Sequence, residues 1–149
     1  MIKKMAMCAF VVATFVFTGC NSRPPLAQQQ HNLLLIQNTV WTLTHIGARE
    51  FKADPSVRQT PNIQFVEANK NIHGSDGCNR IMGTYQIQGE QIQLGQLGQT
   101  RMLCGQGQVA TQYNEALARV ASYQVYDKTL RLLDRHGNPV LQFSRAVKN

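Results

Sequence analysis

The sequence predicts an α+β domain that is mostly β, with about seven or eight antiparallel strands and one packed helix. From residue 40 onward, apolar and polar residues alternate in short runs, which is the period of a half-buried strand. Turn-forming Gly, Asn and Asp residues separate these runs. Only residues 106–121 repeat their apolar positions with the period of a helix. A length of 149 residues suits a single domain.

The first strands are predicted from alternation over residues 40–46 and 61–66, with a polar loop over 48–60 between them. The side chains expected to face inward are Trp41, Leu43, His45, Ile63 and Phe65. Residues 69–79 are rich in Gly, Asn and Asp, which predicts a loop.

Three more strands are predicted over residues 82–88, 92–97 and 100–104. The helix over 106–121 follows, and alanines favour it further. Its expected inner face consists of Val109, Tyr113, Leu117 and Val120.

The chain closes with short strands at residues 123–126, 130–133 and 140–143, the last two joined by a hairpin turn at 134–139. Aromatic side chains are expected to fill the core. They are Trp41, Tyr113, Tyr123, Tyr126 and Phe143.

Residues 1–19 have the layout of a secretory signal peptide. Lysines at 3 and 4 precede an uncharged apolar run over residues 5–17, and two small residues follow it. The apolar run is shorter than the roughly 20 residues of a transmembrane helix. We therefore expect residues 1–19 to be removed during export.

The segment Phe17-Thr18-Gly19-Cys20 resembles the lipobox of bacterial lipoproteins, with Phe17 where Leu is more common. The resemblance implies diacylglycerol on the Cys20 sulfur, cleavage before Cys20 and acylation of the new amine, for example with palmitate. Several acyl chains anchor a protein durably. Asn21 follows in place of the Asp that retains lipoproteins in the inner membrane of enteric bacteria. The resemblance thus implies the outer membrane, with the domain facing the periplasm.

Residues 20–39 are expected to form the lipidated cysteine and a tether. Pro24, Pro25 and the following glutamines suit an extended segment that holds the domain off the membrane. The aliphatic run at 33–36 is expected to cap the domain as a short helix or strand. The globular domain is then expected over residues 40–146.

The charge of the chain limits the class of partner. Lys and Arg total 15 against 8 Asp and Glu, and losing Lys3 and Lys4 with the signal peptide leaves a charge of +5. This balance favours contact with anionic lipid headgroups or an acidic partner. The basic residues form no run, so no nucleic-acid partner is expected.

Four segments together resemble a known family. They are Trp41-Thr42-Leu43, then Gly74-Ser75-Asp76-Gly77-Cys78-Asn79-Arg80 with Gly83 and Tyr85, then Thr100-Arg101-Met102-Leu103-Cys104, and last the hairpin from Leu130 to Phe143. Their order and spacing over residues 40–145 resemble the META domain, or HslJ-like, family of bacterial envelope lipoproteins. Leu103 departs from the Ala that the family often carries.

This resemblance implies a curved antiparallel sheet, partly barrel-like, with a helix packed against it. It implies no catalytic activity, and members of the family are linked loosely to stress response and envelope integrity. The partner would then be an envelope or secretion component. The partner-binding loops would be 74–80 and 100–104, through Asp76, Asn79, Arg80, Arg101 and Met102.

Cys78 and Cys104 are the cysteines left for the domain once Cys20 is lipidated. Because an exported protein meets an oxidising compartment, they are expected to form a disulfide. A loop of that size would stabilise the fold by about 3–4 kcal/mol. Two thiols packed in the sheet, or a metal site, are the alternatives that the sequence leaves open.

The residue types of a Cys-His nucleophilic site occur together at His73, Asp76, Cys78 and Asn79. The same segment has the Gly, Asp and Asn residues of a tight turn, and catalytic groups usually come from separate segments. The four histidines, at 31, 45, 73 and 136, show no metal-ligand spacing. We therefore expect no catalytic residue, no metal and no cofactor.

Two classes of function follow from these observations. The favoured class is a non-enzymatic lipoprotein anchored in the outer membrane that binds or stabilises an envelope component. The alternative is a small-ligand carrier or enzyme that uses a cavity in the curved sheet. The alternative requires a sizeable apolar pocket or inward polar groups with shifted pKa values.

Overall fold

Ten strands and two helices make up the residues that the computed structural model describes, which are 24–53, 57–104 and 108–145. The helices are α1 (Leu26–Ile36) and α2 (Gln108–Leu117). The strands are β1 (Val40–Ile46), β2 (Arg49–Glu50), β3 (Asn62–Val66), β4 (Asn71–Ser75), β5 (Arg80–Gln88), β6 (Gln91–Leu94), β7 (Gly98–Gln99), β8 (Ser122–Tyr126), β9 (Thr129–Leu133) and β10 (Pro139–Arg145).

Eight of the strands close into an antiparallel barrel. Their order is β10-β9-β8-β6-β5-β4-β3-β1, and β1 pairs with β10 to complete the ring. The two-residue strands β2 and β7 lie beside β1 and β5. Between β6 and β8 the paired residues are Gln91 and Ser122, with backbone hydrogen bonds on either side. The predicted α+β, mostly β fold with a curved, barrel-like sheet is confirmed.

Side chains occupy the interior of the barrel because alternate residues of each strand point inward. The largest buried side chains are Trp41, Phe65, Tyr85, Tyr113, Tyr123 and Phe143. Phe65 and Tyr85 meet edge to face with ring centroids 5.2 Å apart, a favoured aromatic geometry.

A bulge in β1 corrects one inward prediction. Leu43 pairs with Phe143, but His45 pairs with Gln142, so one extra residue lies on β1. Beyond the bulge Ile46 packs against the core. The His45 ring is half-buried and lies 3.3 Å from the Gln142 amide nitrogen, so the expectation that it faces the core with Trp41 was wrong.

Three further local predictions were wrong. The predicted 69–79 loop contains β4, which its Asn and Gly residues concealed. The predicted strand over 100–104 has no regular structure, and β7 stops at Gln99. Tyr126, expected in the core, is 85% exposed because its neighbour Val125 takes the inward position at the end of β8.

The helix α1 replaces most of the extended tether expected over residues 21–32. Ala, Gln and Leu favour helix, and prolines at 24 and 25 are tolerated because they precede its first turn. Ile36 is fully buried, and its carbonyl accepts a hydrogen bond from Trp41 Nε1 at 3.0 Å. The expected cap at 33–36 is therefore the last turn of this helix.

The predicted amphipathic helix is confirmed as α2. Tyr113, Ala116 and Leu117 are buried on its inner face, and Val120 packs just beyond its end. The Tyr113 ring meets Phe143 edge to face at 6.2 Å, which fixes α2 to the strand that closes the barrel.

The two helices contact opposite ends of β3. Asn38, just after α1, donates its backbone N–H to Phe65 O at 2.7 Å, and Tyr113 of α2 donates its hydroxyl to Asn62 O at 3.2 Å. No helix in the described ranges is long and apolar enough to span a membrane. The predicted signal peptide and Cys20 fall within residues 1–23, outside those ranges.

Candidate functional site

The loop between β4 and β5 is folded around the Asp76 carboxylate, which is fully buried. Its Oδ1 accepts hydrogen bonds from the backbone N–H groups of Cys78 (2.9 Å) and Asn79 (2.6 Å). Gly77 has φ +99°, and a Cβ there would lie 2.9 Å from Val57 Cγ1. The turn thus requires glycine at 77 and an acceptor at 76.

The second oxygen of Asp76 joins this loop to α2. Asn114 Nδ2 donates to Asp76 Oδ2 at 2.9 Å and also lies 3.1 Å from Oε1 of Gln99, the last residue of β7. No Lys, Arg or His in the described ranges forms an ion pair with Asp76. The charge is therefore stabilised by N–H donors alone, as a buried carboxylate requires.

Burial of the Tyr113 hydroxyl, together with the nearby Asp76 carboxylate, raises the pKa of Tyr113 well above its usual value. The phenol therefore stays protonated and keeps donating to the Asn62 carbonyl. This hydrogen bond holds α2 against the start of β3, on the same side of the domain as Asp76.

Asn79 connects the turn to the 100–104 segment. Its Oδ1 accepts a hydrogen bond from the Met102 backbone N–H at 2.8 Å. Thr100 Oγ1 accepts one from the Arg80 backbone N–H at 3.0 Å, and the Thr100 N–H donates to Arg80 O at 3.1 Å. A segment without regular structure is thus held by two hydrogen bonds to Arg80 at the start of β5 and by one to Asn79 in the turn.

A disulfide joins Cys78 to Cys104, whose Cα atoms are 6.0 Å apart. The predicted pairing is confirmed over the alternatives of packed thiols or a metal site. The bond closes the far end of the 100–104 segment, so this segment is fixed at Thr100, at Met102 and at Cys104.

The fixed segment displays apolar side chains to solvent. Leu103 is fully exposed and Met102 is 45% exposed, with the exposed Arg101 beside them and Arg80 at the start of β5. Exposed leucines are ordinary when single, but here two exposed apolar residues are consecutive in a segment that is fixed at three points. We call Arg80, Arg101, Met102 and Leu103 the displayed surface.

The structure separates the predicted loop residues into two groups. Arg80, Arg101 and Met102 lie on the displayed surface, whereas Asp76 is buried and Asn79 is half-buried. Asp76 and Asn79 therefore position the loop, and Asp76 has no surface with which to touch a partner. Thr100, in the predicted 100–104 loop, contributes through its bonds to Arg80. Asn114 and Gln99 complete the hydrogen-bond network and were missed, because only the folded chain brings them to the turn.

The Cys-His arrangement considered from the sequence has no free thiol, since Cys78 is bonded to Cys104. His73 lies exposed on β4. Within the described ranges, no group of three His, Cys, Asp or Glu residues is placed to hold a metal ion.

A cleft of about 340 Å³ lies between α2 and the β6–β7 segment. Leu94, Leu97 and Leu117 line it, with Asn114 and Gln99 as polar groups. Its volume falls at the low end for ligand pockets. The amide nitrogen of Asn114 already bonds both Asp76 and Gln99, so these polar groups are engaged within the domain.

Solved structures share this fold. An NMR structure of a protein from Burkholderia xenovorans is 25% identical, with a TM-score of 0.60 over 93% of this chain and 100% of that one. A second NMR structure is 21% identical, with a TM-score of 0.60 over 74% of this chain and 92% of its own. A crystal structure of a DUF4847 family protein from Bacteroides vulgatus is 17% identical, with a TM-score of 0.56 over 78% of this chain and 98% of that one.

No curated protein matches the chain. The family model for the META domain matches residues 32–147. This range includes the last part of α1, all of α2 and every strand of the barrel. The match begins in α1, earlier than the boundary at residue 40 that alternation predicts. The chain belongs to the META domain family.

Proposed function

We propose that this protein is a non-enzymatic, lipid-anchored lipoprotein of the outer membrane that binds an envelope or secretion component through its displayed surface. The observation that carries the proposal is the exposure of Leu103 and Met102 on a segment fixed by Asn79 and the Cys78–Cys104 disulfide. A role in envelope stress would follow from the partner that this surface binds.

Rigidity makes this surface suited to binding. A loop that is ordered before binding loses little conformational entropy when it docks, so its apolar contacts contribute more of their free energy to affinity. The disulfide, the Met102 N–H bond and the Thr100 bonds supply that order. Met and Arg, both present on the displayed surface, are residue types enriched at protein interfaces.

The charge of the displayed surface indicates the chemistry of the partner. Arg80 and Arg101 are exposed there, and neither forms an ion pair with a described Asp or Glu. A partner with an apolar pocket and a carboxylate rim would complement this surface, with the charges mainly speeding association.

The anchor rests on the sequence around Cys20. The order of a positively charged start, an apolar run and small residues before a cysteine is typical of an exported lipoprotein. Asn21 favours the outer membrane. Metabolic labelling with a palmitate analogue tests it, since labelling should disappear in the Cys20→Ala variant.

The proposal of a non-enzymatic role is supported by the bonding of the two residues best suited to catalysis, Cys78 and Asp76. Cys78 is in a disulfide, and both Asp76 oxygens accept hydrogen bonds from within the domain. The alternative of a ligand cavity inside the sheet meets a barrel interior occupied by buried aromatic and aliphatic side chains.

Affinity purification from detergent-solubilised envelopes tests the binding surface. A Met102→Ser/Leu103→Ser variant should lose a protein that copurifies with the wild type. Met82→Ser is the matched control, because Met82 is 53% exposed but lies on β5 outside the displayed surface. Equal recovery of every copurifying protein by the wild type and the Met102→Ser/Leu103→Ser variant would rule out this surface.

A further inference from the structure

We propose that the α1 end of the barrel rests on the lipid bilayer, so that the displayed surface points away from the membrane. The proposal rests on the anchor at Cys20 proposed above. The bilayer surface would contact the α1 end through side chains that are not part of the displayed surface.

Strand direction defines which residues lie at the α1 end. β3 runs from Asn62, which bonds α2, to Val66, next to α1, so β3 ends at the α1 end. Because neighbouring strands of the barrel are antiparallel, β5 and β8 also run toward this end. The turns that follow β3, β5 and β8 therefore lie here. Gln29 of α1 lies close to Gly89 in the β5–β6 turn. The end of β10 is here too, since the Arg145 N–H donates to Lys128 O in the β8–β9 turn at 3.0 Å. Trp41 pairs with Arg145, which brings the start of β1 to the same place.

Exposed apolar side chains concentrate at this end. Four of the seven large apolar or aromatic side chains exposed in the described ranges lie there: Leu26 (78%), Leu34 (74%), Val40 (52%) and Tyr126 (85%). Leu26 and Leu34 are eight residues apart, which places them on the same side of the helix. The inner side of α1 is used by the core, so this outer side is left for another contact.

The short connection to Cys20 makes the bilayer the nearest surface. Leu26 is six residues from Cys20, and six residues span at most about 20 Å. The extended tether predicted over residues 21–32 would have allowed roughly 40 Å. Because α1 begins at residue 26, this end of the barrel is held beside the anchor.

The chemistry of this end suits the interface between headgroups and acyl chains. An apolar groove of about 660 Å³ runs beside α1, lined in part by Leu33, Leu34 and Ile87, with Lys70 and Glu67 at its polar side. Tyr126 presents a ring with a hydroxyl, the kind of side chain enriched at membrane interfaces. Lys70, Lys128 and Arg145 balance Glu67, Glu90 and Asp127, so apolar contact rather than net charge would hold the end to lipid.

The orientation follows from the barrel itself. Strands such as β1, with seven residues, extend about 23 Å, and the displayed surface lies at the far end of them. A bilayer at α1 would therefore leave Arg101, Met102 and Leu103 open to a partner in the periplasm.

Tryptophan quenching by brominated lipid tests this orientation. The mature chain from Cys20 would be coupled through the Cys20 thiol to maleimide lipid in vesicles of phosphatidylethanolamine and phosphatidylglycerol, with Cys78 and Cys104 protected by their disulfide. The single natural tryptophan, Trp41, is buried and gives a constant background. Tyr126→Trp and Leu103→Trp place a reporter at each end on exposed positions.

We expect the Tyr126→Trp variant to lose fluorescence in brominated vesicles and the Leu103→Trp variant to keep it. Adding Leu34→Gln to the Tyr126→Trp chain should restore part of the signal, whereas adding Met82→Gln should not. Equal quenching of both reporters, quenching of neither, or stronger quenching of Leu103→Trp would overturn the proposal. Since the tether is imposed chemically, these results are independent of whether cells lipidate Cys20, which palmitate labelling decides.

Discussion

Asn114 Nδ2 lies 2.9 Å from Asp76 Oδ2, and this hydrogen bond joins the amphipathic helix to the turn that carries Cys78. The carboxylate is fully buried, and its four donor contacts come from two backbone N–H groups and two amide side chains. One buried charge thus fixes the turn to which the segment with Met102 and Leu103 is joined by the Asn79 hydrogen bond and the disulfide.

Replacing Asp76 by Asn should destabilise the domain by about 2–3 kcal/mol, because hydrogen bonds to a charged acceptor are lost. An amide NH₂ in the place of either oxygen would also face N–H donors. Urea denaturation followed by far-UV circular dichroism measures the free energy of unfolding.

Asn114→Ala is the partner variant for a double-mutant cycle with Asp76→Asn. Asn114→Ala removes the donor, and Asp76→Asn removes the charge to which that donor bonds, so the two free-energy losses should add to more than the loss in the double variant. Strictly additive losses would mean that the two side chains do not interact as described.

Replacing Cys78 and Cys104 together by Ser should lower the free energy of unfolding by about 3–4 kcal/mol, because a crosslink between residues 26 apart restricts the unfolded chain. Thermal unfolding with and without a reductant measures this. The reductant should lower the melting temperature of the wild type and leave that of the double variant unchanged. A wild type that is insensitive to complete reduction would argue against a stabilising bond.

Tyr123→Phe should leave the domain as stable at pH 7 or raise its free energy of unfolding by about 1 kcal/mol. The Tyr123 hydroxyl is buried and has no hydrogen-bond partner among the described residues. Tyr113→Phe is the matched comparison, and it should lose about 1 kcal/mol because its hydroxyl donates to Asn62 O. The reverse order of the two stabilities would contradict this account.

Stability should fall as pH rises from about 10 toward 12. Burial, with a smaller effect of the Glu90 carboxylate, raises the pKa of Tyr123 to about 12, whereas an unfolded tyrosine titrates near 10. Above pH 10 the unfolded chain therefore releases the Tyr123 proton first, which favours unfolding. Urea midpoints measured at pH 9, 10 and 11 should fall less steeply with pH in Tyr123→Phe than in the wild type. The same dependence on pH in both proteins would exclude Tyr123 as a cause of the loss of stability.

The spacing of apolar residues and the positions of turn-forming residues were enough to predict most of the fold. The alternation around Trp41, Phe65 and Phe143 predicted buried faces that the structure confirms, and Tyr113 and Leu117 identified the inner side of α2. The His45 prediction failed because a bulge shifts the register, and a bulge depends on the neighbouring strand.

The sequence predicted the loop of the candidate site but not the hydrogen-bond network around Asp76. The sequence around Asp76 and Cys78 indicated a tight turn and a disulfide. Asn114 lies 38 residues away within a helix, and nothing in the local pattern distinguishes it from a solvent-facing amide. The helix α1 was missed because prolines and glutamines are equally typical of linkers, and only packing of Ile36 against Trp41 decides between them.

In-cell photo-crosslinking from position 103 tests most directly the claim that the displayed surface binds an envelope partner. A photoreactive amino acid would replace Leu103 in one strain and Tyr126 in another, since both positions are highly exposed and lie at opposite ends of the barrel. We expect one dominant protein adduct from position 103, reduced when Arg101→Glu is added, and none of that adduct from position 126. Failure of position 103 to form any specific protein adduct, with expression and folding equal to the wild type, would contradict it.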